Sequence, residues 1–169
     1  GSTLGAGGRK AVAALLECAR CESDNWLVRR ASIESLVQLA PPGDLEAVNM
    51  LVSCIPTGDT GVRQAAIAAI AALAPRGCSG AVGALLEVIG GPEGDGDPLP
   101  FLRRAAAEGL GRVASMGDNT VVQALLARLN DPNDGVREAA AEALKSVSEQ
   151  GDDCVVEALL NELLHSDMG

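Results

Sequence analysis

Four copies of one short pattern recur along this chain, and each copy has an arginine followed by small apolar residues. The four arginines are Arg29, Arg63, Arg103 and Arg137, and they are separated by 34, 40 and 34 residues. A period of this length is typical of stacked helical hairpins, because two short helices and their turns occupy about 35–45 residues. The spacing therefore predicts a repeat architecture, whose ligand depends on the side chains that the repeat leaves free.

Each arginine segment has apolar or small residues at the spacing of one buried helical face, and we call the predicted helix a first-type helix. We expect Asn25, Asp59 and Asn133 to cap three of these helices, and Pro100 to stand at the first helical position of the other. All the residues of the apolar face are expected to be buried. In the first copy they are Val28, Ala31, Ser32, Ser35, Leu36 and Leu39, and the other copies start at Val62, Leu102 and Val136.

A second apolar pattern lies between the arginine segments and predicts a second-type helix for each hairpin. Nine helices are expected, because one extra copy of this pattern precedes the first arginine. The lone helix is placed at residues 10–20, and the four hairpins at about 25–56, 59–90, 99–130 and 133–164. We expect one repeat domain over residues 10–165. Residues 1–9 open with Gly-Ser and are interpreted as a tag-cleavage scar and a flexible start.

The composition favours a folded interaction protein and disfavours several other classes. A chain with 47% hydrophobic and 21% charged residues can bury a core. Its net charge of −10 disfavours nucleic-acid binding, which requires clustered Lys and Arg, and it favours cationic partners. No stretch reaches the roughly 20 apolar residues of a membrane span. The five cysteines are an odd number and widely spread, which indicates reduced thiols and an intracellular, cytoplasmic location.

The segment at residues 119–147 resembles a known repeat family. It contains Ala124-Leu125-Leu126, Asn130-Asp131-Pro132 and Val136-Arg137, and it is similar to the short HEAT-like repeats of phycobilisome lyase subunits. The resemblance covers about residues 10–164. It implies an all-α, right-handed α-solenoid, and it is compatible with scaffolds, adaptors, lyase subunits and assembly factors.

The resemblance also implies a structural role for the repeated arginines. In such repeats this arginine ties neighbouring loops together through an acidic residue, and an aspartate lies shortly before each of the four arginines here. Four guanidinium groups in register could alternatively bind phosphate or carboxylate. We expect the structural role for Arg29, Arg63, Arg103 and Arg137.

The concave surface of such solenoids is usually lined by the second-type helices. The free positions of these helices form a small, polar, mildly acidic ridge, which could accept a basic or extended peptide or could simply be solvated. The candidate partner-binding residues on this ridge are Glu17, Asn49, Ser53, Glu87, Gln123, Glu157 and Asn161.

The third connection between repeats is longer than the others and is a second candidate contact. Glu93, Asp95 and Asp97 lie in it, and Phe101 follows. The spacing does not reproduce a calcium-binding EF-hand loop, so a flexible acidic loop is expected. Long loops on repeat proteins are also frequent sites of partner binding.

No cofactor, metal site or catalytic group is expected from the sequence. Cys18 and Cys21 form a C-x-x-C pair, but zinc requires two further ligands, and His165 is the one histidine. A hydrolytic triad and a phosphate-binding glycine loop are both absent as recognisable motifs.

The sequence therefore predicts a non-catalytic protein-binding scaffold or adaptor, as a fragment of a longer repeat protein. The apolar ends of the array also favour self-association. A lyase-type or chaperone-type subunit that acts on a tetrapyrrole-bearing protein and a designed consensus repeat protein remain as alternatives.

Overall fold

The computed structural model describes residues 5–20, 25–90 and 96–148, and the regular structure within these ranges is α-helical. The predicted all-α class of helical hairpins is confirmed. The ninth expected helix falls within residues 149–169, outside the described residues. The eight described helices are α1 (Ala6–Arg20), α2 (Trp26–Leu39), α3 (Leu45–Thr57), α4 (Thr60–Leu73), α5 (Ser79–Ile89), α6 (Pro100–Val113), α7 (Asn119–Arg128) and α8 (Asp134–Val147).

The first-type helices are α2, α4, α6 and α8, and the second-type helices are α1, α3, α5 and α7. The lone second-type helix, α1, begins at Ala6, which is before residue 10, where it is expected to begin. The chain divides into two compact units, residues 1–84 and residues 85–169, and the boundary falls within α5. A single repeat domain over residues 10–165 stays a prediction.

Each unit has its own aliphatic core. In unit 1, α2 packs against α1 and α4, and α3 packs against α4. In unit 2, α8 packs against both α6 and α7. The largest fully buried side chains are Ile33, Leu36, Leu51, Ile67 and Ile70 in unit 1, and Leu85, Ile89, Leu102, Leu110, Leu125 and Leu144 in unit 2.

Side-chain capping differs from the expectation for the first-type helices. Asn25 and Asp59 occupy N-cap positions without making a side-chain capping bond, whereas Asn133 accepts a hydrogen bond of 3.3 Å from the Val136 N–H group. Pro100 begins α6, as expected. The stronger caps belong to second-type helices, where Asp44 and Asp118 each accept two backbone N–H groups at the start of α3 and α7.

The connectors that follow α2, α4 and α6 each contain a glycine in the left-handed region. Gly43 has a φ angle of 85° and Gly117 one of 74°, which L side chains rarely adopt. The Gly43 N–H group donates to the Leu73 carbonyl at 2.8 Å, and the Gly117 N–H group donates to the Val147 carbonyl at 2.7 Å. These two glycines therefore each tie the turn after one first-type helix to the end of the next one.

The prediction that the apolar face of α2 is buried is wrong for several of its residues. Val28 is 46% exposed and Leu39 is 41% exposed, whereas the equivalent residues of α4, Val62 and Leu73, are 0% and 3% exposed. Ala31 is exposed too, and Ser35 is half-buried. The apolar pattern is the same in α2 and in α4. Within unit 1, however, only the α4 face has another first-type helix, α2, packed against it.

In unit 2, α6 approaches α8 closely at Gly111. A Cβ atom at this position would lie 3.0 Å from the Ala143 Cα atom and 3.2 Å from its Cβ atom. We expect Gly111→Val to lower the free energy of unfolding by about 1–3 kcal/mol, because the larger side chain must push α6 and α8 apart. Urea denaturation followed by circular dichroism measures this change.

Gly83 of α5 is the matched control, because a Cβ atom added there would meet nothing within 4 Å. Gly83→Ala should stabilise the protein by about 0.5–1 kcal/mol, since alanine is the better helix former. Equal effects at the two glycines would contradict the close approach of α6 and α8.

Candidate interaction surfaces

The predicted ridge residues of unit 1 lie on the surface of α1 and α3. Glu17, Asn49 and Ser53 are exposed, while their neighbours Leu16 and Val48 are buried. This follows from helical periodicity, because the apolar residues face the core and leave the polar positions to solvent. The structure therefore places these polar side chains where a partner could reach them.

Arg20 lies between the acidic groups of α1 and α3. Its guanidinium group is 3.1 Å from the Glu17 carboxylate and 3.9 Å from the Glu46 carboxylate. All three side chains are about half exposed or more, so these ion pairs are screened by solvent and add little stability. Their charges remain available to a partner.

Of the four remaining ridge residues, the structure describes two. Glu87 on α5 and Gln123 on α7 are both exposed. Glu157 and Asn161 lie outside the described residues. The role of the ridge in partner binding stays a prediction.

The long connection is described only from Gly96 onward, so Glu93 and Asp95 lie outside the described residues. The Asp97 carboxylate accepts a hydrogen bond of 2.9 Å from the Leu99 N–H group, and the Asp97 carbonyl accepts one of 2.7 Å from Arg103. The Asp97 N–H group donates to the Val88 carbonyl at 2.8 Å. This end of the connection is therefore fixed, with Phe101 beside it at 41% exposure.

A buried ion pair in unit 2 joins Arg103 to Asp131. The Arg103 Nε and Nη2 atoms donate to the two carboxylate oxygens at 2.8 and 2.7 Å, a bidentate pair in which both side chains are less than a tenth exposed. The Asn133 N–H group donates to the same carboxylate at 2.9 Å. The expected acidic partner before Arg103, Asp97, contributes its carbonyl instead of forming this pair.

The other repeat arginines also contact the chain segments around them. Arg137 donates to the Asp131 carbonyl at 3.0 Å and forms an ion pair of 2.9 Å with Asp134, the acidic residue expected from its position. Arg29 is buried and donates to the Ala19 carbonyl near the end of α1 at 3.2 Å. Arg63 is half-buried in the first turn of α4.

The electrostatics around Asp131 favour its ionised form. Burial by itself raises the pKa of Asp131, but hydrogen bonds from Arg103 and from the Asn133 N–H group, with the charges of Arg103 and Arg128, outweigh burial and hold it below its usual value. The hydrogen bond to Asp131 raises the pKa of Arg103. The pair is therefore fully charged at neutral pH.

A cavity of about 400 Å³ borders this ion pair. The Arg128 guanidinium group lies 4.0 Å from the Asp131 carboxylate, and the Arg128 side chain is 12% exposed. The charge of Arg103 interacts with the carboxylates of Asp131 and Asp97, and the charge of Arg128 interacts with that of Asp131.

The described cysteines have different environments. Cys18 is exposed and Cys54 is buried, while Cys21 and Cys154 lie outside the described residues. Burial raises the pKa of the Cys54 thiol, although Arg29 opposes this shift. The thiol is therefore protonated and unreactive at neutral pH. Across residues 5–20, 25–90 and 96–148, no three His, Cys, Asp or Glu side chains are grouped as a metal site requires.

The structure adds a feature that the sequence reasoning missed, a groove between neighbouring first-type helices. In unit 1, a groove of about 390 Å³ between α2 and α4 has Ala65, Ala68 and Ala69 along one side and the Arg30–Glu34 ion pair along the other. In unit 2, a groove of about 190 Å³ separates α6 from α8. Its lining includes Glu108, Gly111, Arg112, Ala139, Glu142 and Ala143. No single sequence motif marks both grooves, because their size depends on the distance between two packed helices.

Comparison with known protein families finds HEAT repeats over residues 2–71, 58–145 and 95–167. These matches span most of the sequence and agree with its helical hairpins, so the chain belongs to the HEAT-repeat family of α-solenoid proteins. No curated protein matches the chain. The similarity to the phycobilisome lyase type stays a prediction. Among the described helices, none has the length and apolar character of a membrane span.

The ion pair between Arg103 and Asp131 gives a direct test of the structural role. We expect Arg103→Ala to lower the free energy of unfolding by about 3–5 kcal/mol, because it leaves the buried Asp131 carboxylate without its partner. The neighbouring Arg104 is the matched control, since it forms an exposed ion pair with Glu108. Arg104→Ala should change stability by less than about 1 kcal/mol. Equal losses in urea denaturation would rule out the structural role.

The lowered pKa of Asp131 also predicts a dependence of stability on pH. A carboxylate with a lowered folded-state pKa contributes its full stability above the unfolded value of about 4, and the contribution is lost as the pH falls through the folded value. The stability difference between the wild type and Asp131→Asn should therefore be constant near pH 7 and shrink below about pH 4. Thermal denaturation of both proteins across this range measures it, and a constant difference would contradict the ionised pair.

Proposed function

We propose that this chain is a non-catalytic scaffold or adaptor module, part of a longer repeat protein, that binds a protein partner along the ridge of its second-type helices. HEAT repeats generally mediate protein–protein interaction, and proteins of this family are typically not enzymes. The observation that supports the ridge is the exposure of every described ridge residue on helices whose apolar residues are buried.

The chemistry of the ridge favours a basic or extended peptide. Asn49 and Gln123 carry amide groups that can both donate and accept hydrogen bonds, as a peptide backbone requires. Glu17 and Glu87 add negative charge to a chain whose net charge is already −10. The long connection with Glu93, Asp95, Asp97 and Phe101 is proposed as a secondary contact, and the apolar ends as sites of self-association.

Charge reversal on the ridge tests this proposal. We expect the double variant Glu17→Lys and Glu87→Lys to lose at least about tenfold in affinity for a partner captured from a source lysate and identified by mass spectrometry. The loss should come mainly from a slower association that depends on salt, because exposed charges act over about 10 Å at 0.1 M salt. Affinity at several salt concentrations measures both effects.

The matched control is Glu108→Lys with Glu138→Lys, which makes the same change in charge on exposed positions of first-type helices. This variant should keep its partner. If both double variants lose affinity equally, only overall charge matters and the ridge is excluded. If neither does, the partner binds elsewhere, and the same comparison moves to Phe101→Ala.

A further inference from the structure

Helix α1 buries little of its surface. Three of its 15 residues are buried, namely Val12, Leu16 and Ala19, whereas α3, a second-type helix of the same unit, buries six residues over 13 positions. The favourable free energy of packing grows with the apolar area that is removed from water. Packing therefore holds α1 to unit 1 more weakly than it holds α3.

The start of α1 also lacks features that stabilise a helix. Asp44 accepts two backbone N–H groups at the start of α3, but the residue before α1 is Gly5, which has no side chain to accept them. Gly7 lies in the first turn of α1, and a Cβ atom added there would meet nothing within 4 Å, so packing does not require a glycine at this position. Since glycine is a poor helix former, Gly7 weakens α1 without improving its contacts.

The last turn of α1 is tied to unit 1 by a buried arginine. The Arg29 Nε atom of α2 donates to the Ala19 carbonyl at 3.2 Å, and Arg29 is 8% exposed. Over residues 5–20, 25–90 and 96–148, Arg29 forms no ion pair, whereas Arg103 binds both carboxylate oxygens of Asp131. The tie to α1 is therefore a single hydrogen bond to a carbonyl group, which is weaker than a bidentate pair with a carboxylate.

The thiol of Cys54 lies beneath this last turn. Cys54 belongs to α3 and is 2% exposed, and its Sγ atom is 4.0 Å from the Ala19 carbonyl oxygen of α1. The same Sγ atom is 3.6 Å from the Met50 Sδ atom of its own helix. Cys18, by contrast, is exposed on α1. The chain thus carries one thiol on the outside of α1 and another beneath it.

We infer that α1 is a detachable cover, which opens from α2 and α3 while the rest of unit 1 stays folded. In the closed form its last turn shields Cys54, and in the open form this thiol is accessible. Opening also removes Glu17 from the ridge and leaves Asn49 and Ser53 in place, so the position of α1 controls how much of the ridge unit 1 presents to a partner. This control of binding rests on the proposed function, whereas the opening itself does not.

Alkylation of the folded full chain by iodoacetamide tests the opening, with site-resolved mass spectrometry of the cysteines. Cys18 should react as an unprotected thiol. Cys54 should react more slowly than Cys18 but faster than global unfolding allows, because local opening exposes it. Its rate should change little with urea well below the unfolding midpoint, since the opening of one helix exposes little surface.

Two glycine variants separate local opening from unfolding of the whole unit. Gly7→Ala stabilises α1 and should slow the alkylation of Cys54 by about two- to fivefold, because labelling follows the population of the open form. Gly83→Ala is the matched control, because it makes the same change in α5, where an added Cβ atom would also meet nothing within 4 Å. It stabilises the fold without acting on α1, so Cys54 should react at the wild-type rate.

Three results would overturn the inference. Slowing by Gly83→Ala to the same extent or more would mean that Cys54 reacts only when the unit unfolds. An unchanged rate in both variants would mean that the reagent reaches Cys54 without movement of α1. A Cys54 rate with the urea dependence of global unfolding would exclude a local opening. The test uses the free chain, so its failure is distinguishable from failure of the ridge proposal.

Discussion

The buried carboxylate of Asp131 is the constraint on which the packing of unit 2 depends. Arg103 binds both of its oxygens from α6, the Asn133 N–H group binds it just before α8, and Arg137 binds the carbonyl of the same residue. A buried charge without these partners would be strongly unfavourable. These contacts therefore favour the arrangement of the segments that completes all of them.

Small residues determine how closely the helices around these contacts approach. The chain has one Trp, one Phe and no Tyr, so its core consists mainly of aliphatic side chains and alanine. At one equivalent position of the two grooves, unit 1 has Val37 and unit 2 has Gly111. The glycine allows Ala143 to approach closely, and that groove is the smaller one. Single side chains thus change the surface while the hairpin pattern stays the same.

The periodic pattern predicted most of the helices, whereas individual partners were harder to predict. The arginine positions indicated tertiary contacts, but the carboxylate that binds Arg103 is Asp131, 28 residues later, and not the nearby Asp97. Exposure of the ridge follows from helical periodicity alone and was predictable. The grooves were not, because they depend on the distance between two helices and on the side chains of both.

The sequence by itself determined the helical hairpins, because apolar spacing within a helix is a local property that each segment carries. It also determined that the polar positions of second-type helices face solvent. Only the tertiary structure decided whether an apolar face is covered, since that depends on a neighbouring helix. Val28 and Val62 occupy the same position in their repeats, yet one is exposed and the other is buried, because burial belongs to a pair of packed helices.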